Sequence, residues 1–168
     1  MGTLLDVVVP GQPQGYQRPG VRVVTPQGGR PFAQHYEQSE TRSWRSVAVG
    51  VLTTPEGAPR VRVEDVPVRV TISAVGSRPA VPKKLGSGRL WRTRKPDVDN
   101  VCKSVLDALV TAGVLRDDVI VAELVARSLV ASDGEAPHVR VVLEELEPLE
   151  LVPWPAKVRA PARSGTLL

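Results

Sequence analysis

The chain has 168 residues, 42% hydrophobic and 24% charged, with a net charge of +4. That length suggests one domain able to bury a real core, and the hydrophobic content argues against disorder. No apolar run reaches the ~20 residues of a membrane span, the first residues lack signal-peptide regions, and the single Cys102 excludes an internal disulfide; together these favour the cytoplasm. Aromatics are only 4% of the chain, so the core is expected to be mostly Val, Leu and Ala.

Leu4 to Val9 is apolar and β-branched and predicts a first strand, ended by Pro10-Gly11-Gln12-Pro13. Val21–Val24 and Arg30–Ala33 flank Pro26-Gln27-Gly28-Gly29, which predicts a hairpin. Helical character begins near Tyr36. Trp44, Val47, Ala48 and Val51 then recur at spacings of three and four, giving one apolar face. Thr53-Thr54-Pro55-Glu56-Gly57 closes that helix. Val66 to Ala74 alternates and predicts a half-buried strand. A second helix is expected from Asp97 to Ala112, with Gly113 as C-cap. Its apolar stripe is Val98, Val101, Cys102, Val105, Leu106 and Leu109. Val119–Val130 and Val139–Leu146 are further strands. The order argues an α+β fold, a small mixed sheet with two main helices on one face. Residues 1–147 would form the domain, and 148–168 a Pro-rich C-terminal tail.

Charge is unevenly spread. Arg78, Lys83, Lys84, Arg89, Arg92, Arg94 and Lys95 fall in one stretch with no acid among them. That run carries +7, so all other residues sum to −3. A local basic stripe points to a polyanion, though a solvated loop explains it equally well.

Directly after it comes Pro96-Asp97-Val98-Asp99-Asn100, then Lys103, Asp107 and Asp117-Asp118. Each acid has a plain explanation. Asp97 suits an N-cap, and Asp99 lies where the helix dipole favours an acid. Asp99, Lys103 and Asp107 are spaced by four, which also fits a surface ion-pair ladder worth about 0.3–0.5 kcal/mol per pair. Asp117-Asp118 suits a turn. The chemical reading is that these acids converge if the strand starting near Asp118 packs beside the second helix. Crowded carboxylates repel unless a cation joins them, and hard oxygen donors suit Mg²⁺ or Mn²⁺. A lysine one turn from Asp99 would meet a phosphate. His35, His138 and the lone cysteine have no zinc or iron ligand spacing. Cys102 lies in the apolar stripe and is expected in the core, as is Trp44, unless it lies at a dimer interface.

The motif resembles the RusA family of Holliday junction resolvases. The match runs over Pro96-Asp97-Val98-Asp99-Asn100, Lys103, Asp107-Ala108-Leu109, Gly113-Val114 and Asp117-Asp118, with a weaker one at Gly11-Gln12-Pro13 and Arg18-Pro19. The resemblance implies a RusA-like fold and a metal-dependent endodeoxyribonuclease. Asp97, Asp99 and Asp118 would bind Mg²⁺, with Mn²⁺ as substitute, and Lys103 would be needed for cleavage. Asn100 and Asp117 would support the site. It further implies a homodimer that nicks a four-way DNA junction symmetrically, in a bacterial cell or phage-infected host. Gly20, Ile120 and Arg127 depart from the family pattern without removing a metal ligand.

DNA contacts would come from Arg18, Lys83, Lys84, Arg89, Arg92, Arg94 and Lys95. Trp91 could stack on a base or simply pack beneath the loop. Two other readings stand beside the resolvase: a nuclease preferring flaps or forks, and a non-catalytic protein that binds branched DNA. A duplex-binding regulator would want a basic recognition helix, and none is evident.

Overall fold

The computed structural model describes residues 2–36, 38–80 and 86–147. The fold is α+β. Its main sheet has five strands in the order β1 (Thr3–Pro10), β7 (His138–Glu145), β4 (Val68–Gly76), β6 (Val121–Val130) and β5 (Leu90–Trp91). Only β4 and β6 run parallel. The two helices, α1 (Ser39–Leu52) and α2 (Val98–Thr111), pack against one another.

Alternation along β4 explains the layering. Val68, Val70, Ile72 and Ala74 are buried, as are Val139, Val141 and Leu143 on β7. They meet Trp44, Ala48 and Leu52 of α1 and Val101, Val105, Ala108 and Leu109 of α2 in one core. The intervening residues carry ion pairs on the other face. Arg69 pairs with Glu123 at 2.7 Å and Glu144 at 3.8 Å, and Arg140 with Asp6.

The elements differ from the sequence expectation at four places. The first helix starts at Ser39, not near Tyr36. Tyr36 instead ends β3 (Phe32–Tyr36), which pairs with β2 (Gly20–Val24) as a separate hairpin. The Tyr36 ring lies across Gly20, a place no side chain leaves open. Val66 and Pro67 fall outside β4, and Pro67 supplies only a carbonyl, to the Leu146 N–H at 3.0 Å. Asp118–Ile120 is a 3₁₀ turn, so β6 begins at Val121 rather than Val119. Finally, the basic run contains a strand, β5, that pairs with Val130 and Leu129. Two residues are too few for any periodicity to register.

The parallel pair fixes the site. A parallel connection needs a crossover, and α2 lies within it. Its first turn therefore sits beside the C-terminal half of β6, where open α/β sheets commonly present ligand-binding loops.

Candidate active site at the head of helix α2

Asp97 takes the N-cap position with extended backbone, φ −67° and ψ 147°, yet its side chain makes no capping hydrogen bond. Its carbonyl serves the helix, accepting from the Val101 N–H at 3.1 Å. The carboxylate is thus left over from helix formation. Asp99 follows in the first turn. Both line one cleft of about 520 Å³, with Trp91, Arg94 and Lys95 on its rim and Ala126 and Ser128 of β6 along one side. Capping does not account for Asp97, whereas the helix dipole suits both acids.

An N-terminal segment clamps this helix start. The Tyr16 N–H donates to the Asn100 carbonyl at 2.8 Å. A Cβ on Gly15 would stand 2.8 Å from the Pro96 Cβ and 3.2 Å from the Asn100 Cβ, so only glycine permits the approach. The Tyr16 ring lies 4.8 Å from the Lys103 Nζ, a cation–π distance. Lys103 also reaches the Asp107 carboxylate at 3.4 Å. Sequence reasoning missed Gly15 and Tyr16. The available signal was their place between the Gly11-Gln12-Pro13 and Arg18-Pro19 elements.

The expected convergence of all acids is not what the structure presents. Asp118 lines a second cleft of about 300 Å³, with Arg45, Asp107, Thr111 and Asp117. Asp107 lies two helical turns from Asp99, about 12 Å of rise. Among the described residues, no three His, Cys, Asp or Glu side chains group as a metal-holding cluster. The connection after α2 is short, so the chain returns beside the C-terminal half of the helix. Asp117 caps the 3₁₀ turn, accepting from the Val119 N–H at 3.0 Å. That hydrogen bond is the main cause that holds its carboxyl below the usual range.

The basic residues divide. Arg89 is committed to Glu135, with Nε 3.0 Å from each oxygen. Arg78 donates to the carbonyls of Gly88 at 3.1 Å and Ala131 at 3.0 Å. Arg92 folds across Gly76 and donates to the Lys95 carbonyl. Arg94 and Lys95 are exposed on the cleft, and Arg18 is exposed near the clamp. Lys83 and Lys84, like residues 148–168, lie outside the described residues. Trp91 is 73% exposed, so packing beneath the loop does not explain it. Cys102 and Trp44 are buried, as expected of core residues, while Val98 is exposed on the cleft instead of completing the apolar stripe.

No helix among the described residues is long and apolar enough to cross a membrane. No curated protein sequence matches the chain. The family model for Endodeoxyribonuclease RusA matches residues 10–144. That span contains the clamp, the basic run, α2 and both clefts, and the chain belongs to the RusA family of divalent-metal-dependent nucleases, enzymes that resolve Holliday junctions.

Proposed function

We propose that the cleft at the head of α2 is where this enzyme cuts DNA, using Mg²⁺ held by Asp97 and Asp99. The observation that carries this reading is the uncapped Asp97 carboxylate beside Asp99, in a cleft rimmed by Arg94 and Lys95. Two carboxylates fit a Mg²⁺ ion, which keeps several waters and takes substrate phosphate oxygens as further ligands. Mn²⁺ has the same preference for hard oxygen and would substitute. Such an ion, when bound, supplies positive charge to a phosphoryl oxygen and lowers the pKa of water.

The residues of the chain do the rest. Arg94 and Lys95 draw the phosphate backbone into the cleft, with Arg18 extending the basic surface; Lys83 and Lys84, outside the described residues, are proposed as further phosphate contacts from their charge alone. Lys103 carries its ammonium one turn beyond Asp99 and serves the scissile phosphate or its leaving oxygen. Asn100 holds the helix start through its carbonyl. The family resemblance gives Asp118 as a third metal acid although it lines the second cleft, beside Asp107, and Asp117 supports the turn that carries it. Arg89 and Arg92 were expected at the DNA. Their internal partners support a structural role for each.

Trp91 suits an unpaired or distorted base at the junction centre. Its exposed ring borders the cleft of the acids, and stacking on aromatic rings is worth about 1–3 kcal/mol per base. A homodimer of residues 1–147 would set two such clefts on opposing strands and yield paired nicks. The place of action is then the cytoplasm of a bacterial cell or phage-infected host.

The test is cleavage of a labelled mobile four-way junction in Mg²⁺, in Mn²⁺ and in EDTA, with flap, fork and linear controls. Symmetric metal-dependent nicks on the junction alone are expected. Cutting confined to flaps or forks would reassign the substrate. Tight binding with no cutting of any substrate would return the aspartates to a helix-dipole role.

A further inference from the structure

Arg92 stands apart from the other cations of the basic run. Its backbone N–H pairs with the Ser128 carbonyl at 3.0 Å, which extends the pairing of β5 with β6. Its side chain turns back over the end of β4. A Cβ on Gly76 would stand 2.8 Å from Nη1, 3.0 Å from Cζ and 3.2 Å from Nε. The absence of a side chain at Gly76 is what makes this seat. From it, Nη2 donates to the Lys95 carbonyl. Nη1 is buried and has no hydrogen-bond partner among the described residues. Burial also lowers the pKa of the group from its ordinary value. A guanidinium that reads phosphate does the reverse, keeping its fork of donors open to the ligand.

The segment that Arg92 grips leads straight into the acids. Only Pro96 separates Lys95 from Asp97, and its ring restricts the backbone between them. Gly15 packs on the same Pro96.

We propose that Arg92 is a positioning residue: laid across Gly76, it holds the Lys95 carbonyl and thereby fixes where Asp97 presents its carboxylate. It is not a phosphate contact. The effect on cleavage rests on the reading of Asp97 as a metal acid, whereas the pinning of the loop does not.

The experiment therefore has an arm free of DNA and metal. Limited trypsin digestion of the full chain is followed by fragment mass, reading the cut after Arg94. Arg92→Ala and Gly76→Ala are expected to speed that cut several-fold, and unchanged rates in both would overturn the proposal. Gly76→Ala is the milder variant, since its new methyl displaces the end of a flexible side chain. If it does not fold, Arg92→Ala decides. A second arm measures binding to a four-way junction in EDTA over a range of salt. Arg92→Ala should leave the salt slope unchanged, while Arg94→Ala lowers it by about one. A fall of about one in Arg92→Ala would make it a phosphate contact and overturn the proposal. In Mg²⁺, Arg92→Ala should cut pre-bound junction about tenfold more slowly at unchanged junction affinity. A wild-type chain that cuts nothing would remove the catalytic reading, and the trypsin arm would still decide Arg92.

Discussion

The backbone N–H of Tyr16 donates to the carbonyl of Asn100 at 2.8 Å, tying the segment after β1 to the first turn of α2. This bond also sets the Tyr16 ring beside Lys103. The ring therefore steadies the ammonium proposed to serve the scissile phosphate. A partly exposed cation–π contact is worth roughly 0.5–1 kcal/mol. Tyr16→Leu keeps the backbone bond and should slow single-turnover cleavage about two- to fivefold, with little change in junction affinity. Gly15→Ala is expected to do more harm. Its methyl meets Pro96 and Asn100, and overpacking of this kind costs about 1–3 kcal/mol. A lowered Tm with slower cleavage would bear this out, and an unchanged Tm would show that the clamp yields freely.

Asp99→Asn should abolish cleavage while preserving junction binding. The substitution keeps size and removes only the charge that would hold the metal. Losing that charge stabilisation costs several kcal/mol, roughly a thousandfold or more in rate. Binding in EDTA should hold or tighten, because one negative charge facing DNA is gone. Asp107→Asn is the control. It breaks a surface pair with Lys103 at 3.4 Å, worth about 0.3–0.5 kcal/mol. Full activity in Asp99→Asn would refute the metal assignment.

Much of the fold was legible because its signals are periodic. The β4 alternation and the apolar stripe of α2 each bury a face, and Val101, Cys102, Val105 and Leu109 of that stripe lie in the core. The turn at Pro26–Gly29 and the left-handed Gly113 follow from local backbone chemistry. What escaped depends on partners distant in sequence. The β5 strand exists because β6 lies beside it. Tyr36 is extended because Gly20 faces it. In the site, Asp97 and Asp99 were legible as a pair two residues apart on one helix start. The position of Asp118 was not, because it depends on where the link after α2 returns the chain. Arg89 and Arg92 stood with the expected DNA contacts on charge alone, and their internal partners were not legible, because sequence counts charges and not what they pair with. Glu135 lies 46 residues beyond Arg89.

That Arg89–Glu135 pair makes a prediction about acid. Hydrogen bonds from Arg89, then from Ser132, hold the Glu135 carboxyl well below its ordinary value of 4.5. A carboxylate depressed in the folded state binds fewer protons than in the unfolded chain. Its stabilising contribution is complete above the unfolded value and is lost as pH falls through the folded one. Asp6, lowered by its hydrogen bond from Arg140, acts with the same sign. Stability should therefore decline as pH drops from about 4.5, judged against the unfolded glutamate value. Urea midpoints at pH 7, 4.5 and 3 would measure this. Glu135→Gln should be less stable at pH 7, with the difference from wild type shrinking at pH 3. A constant difference would mean that the pair does not titrate with folding.

The exposed cations predict salt dependence. Arg94→Ala with Lys95→Ala removes two charges from the rim of the cleft. Each cation that neutralises a phosphate adds about one to the salt slope of junction binding, so its removal should lower the slope by that amount. Lys83→Ala with Lys84→Ala should likewise weaken binding and flatten the slope. An unchanged slope in either double variant would take that pair out of the DNA interface.

On the proposed reading, Trp91 should separate recognition of a junction from recognition of any DNA. Its ring is 73% exposed on the edge strand β5, so truncation removes little folded-state packing and Tm should hardly move. Linear duplex keeps its bases stacked and has none to offer the ring. A four-way junction strains its central base pairs, and a base released there gains about 1–3 kcal/mol on an aromatic platform. Trp91→Ala should therefore weaken junction binding by about five- to hundredfold, with a much smaller change for linear duplex. Trp91→Tyr should recover most of the loss, since the flat ring matters and the indole N–H does not. Equal weakening on junction and duplex would make Trp91 a backbone contact and leave junction selectivity to the spacing of the two clefts in the proposed homodimer.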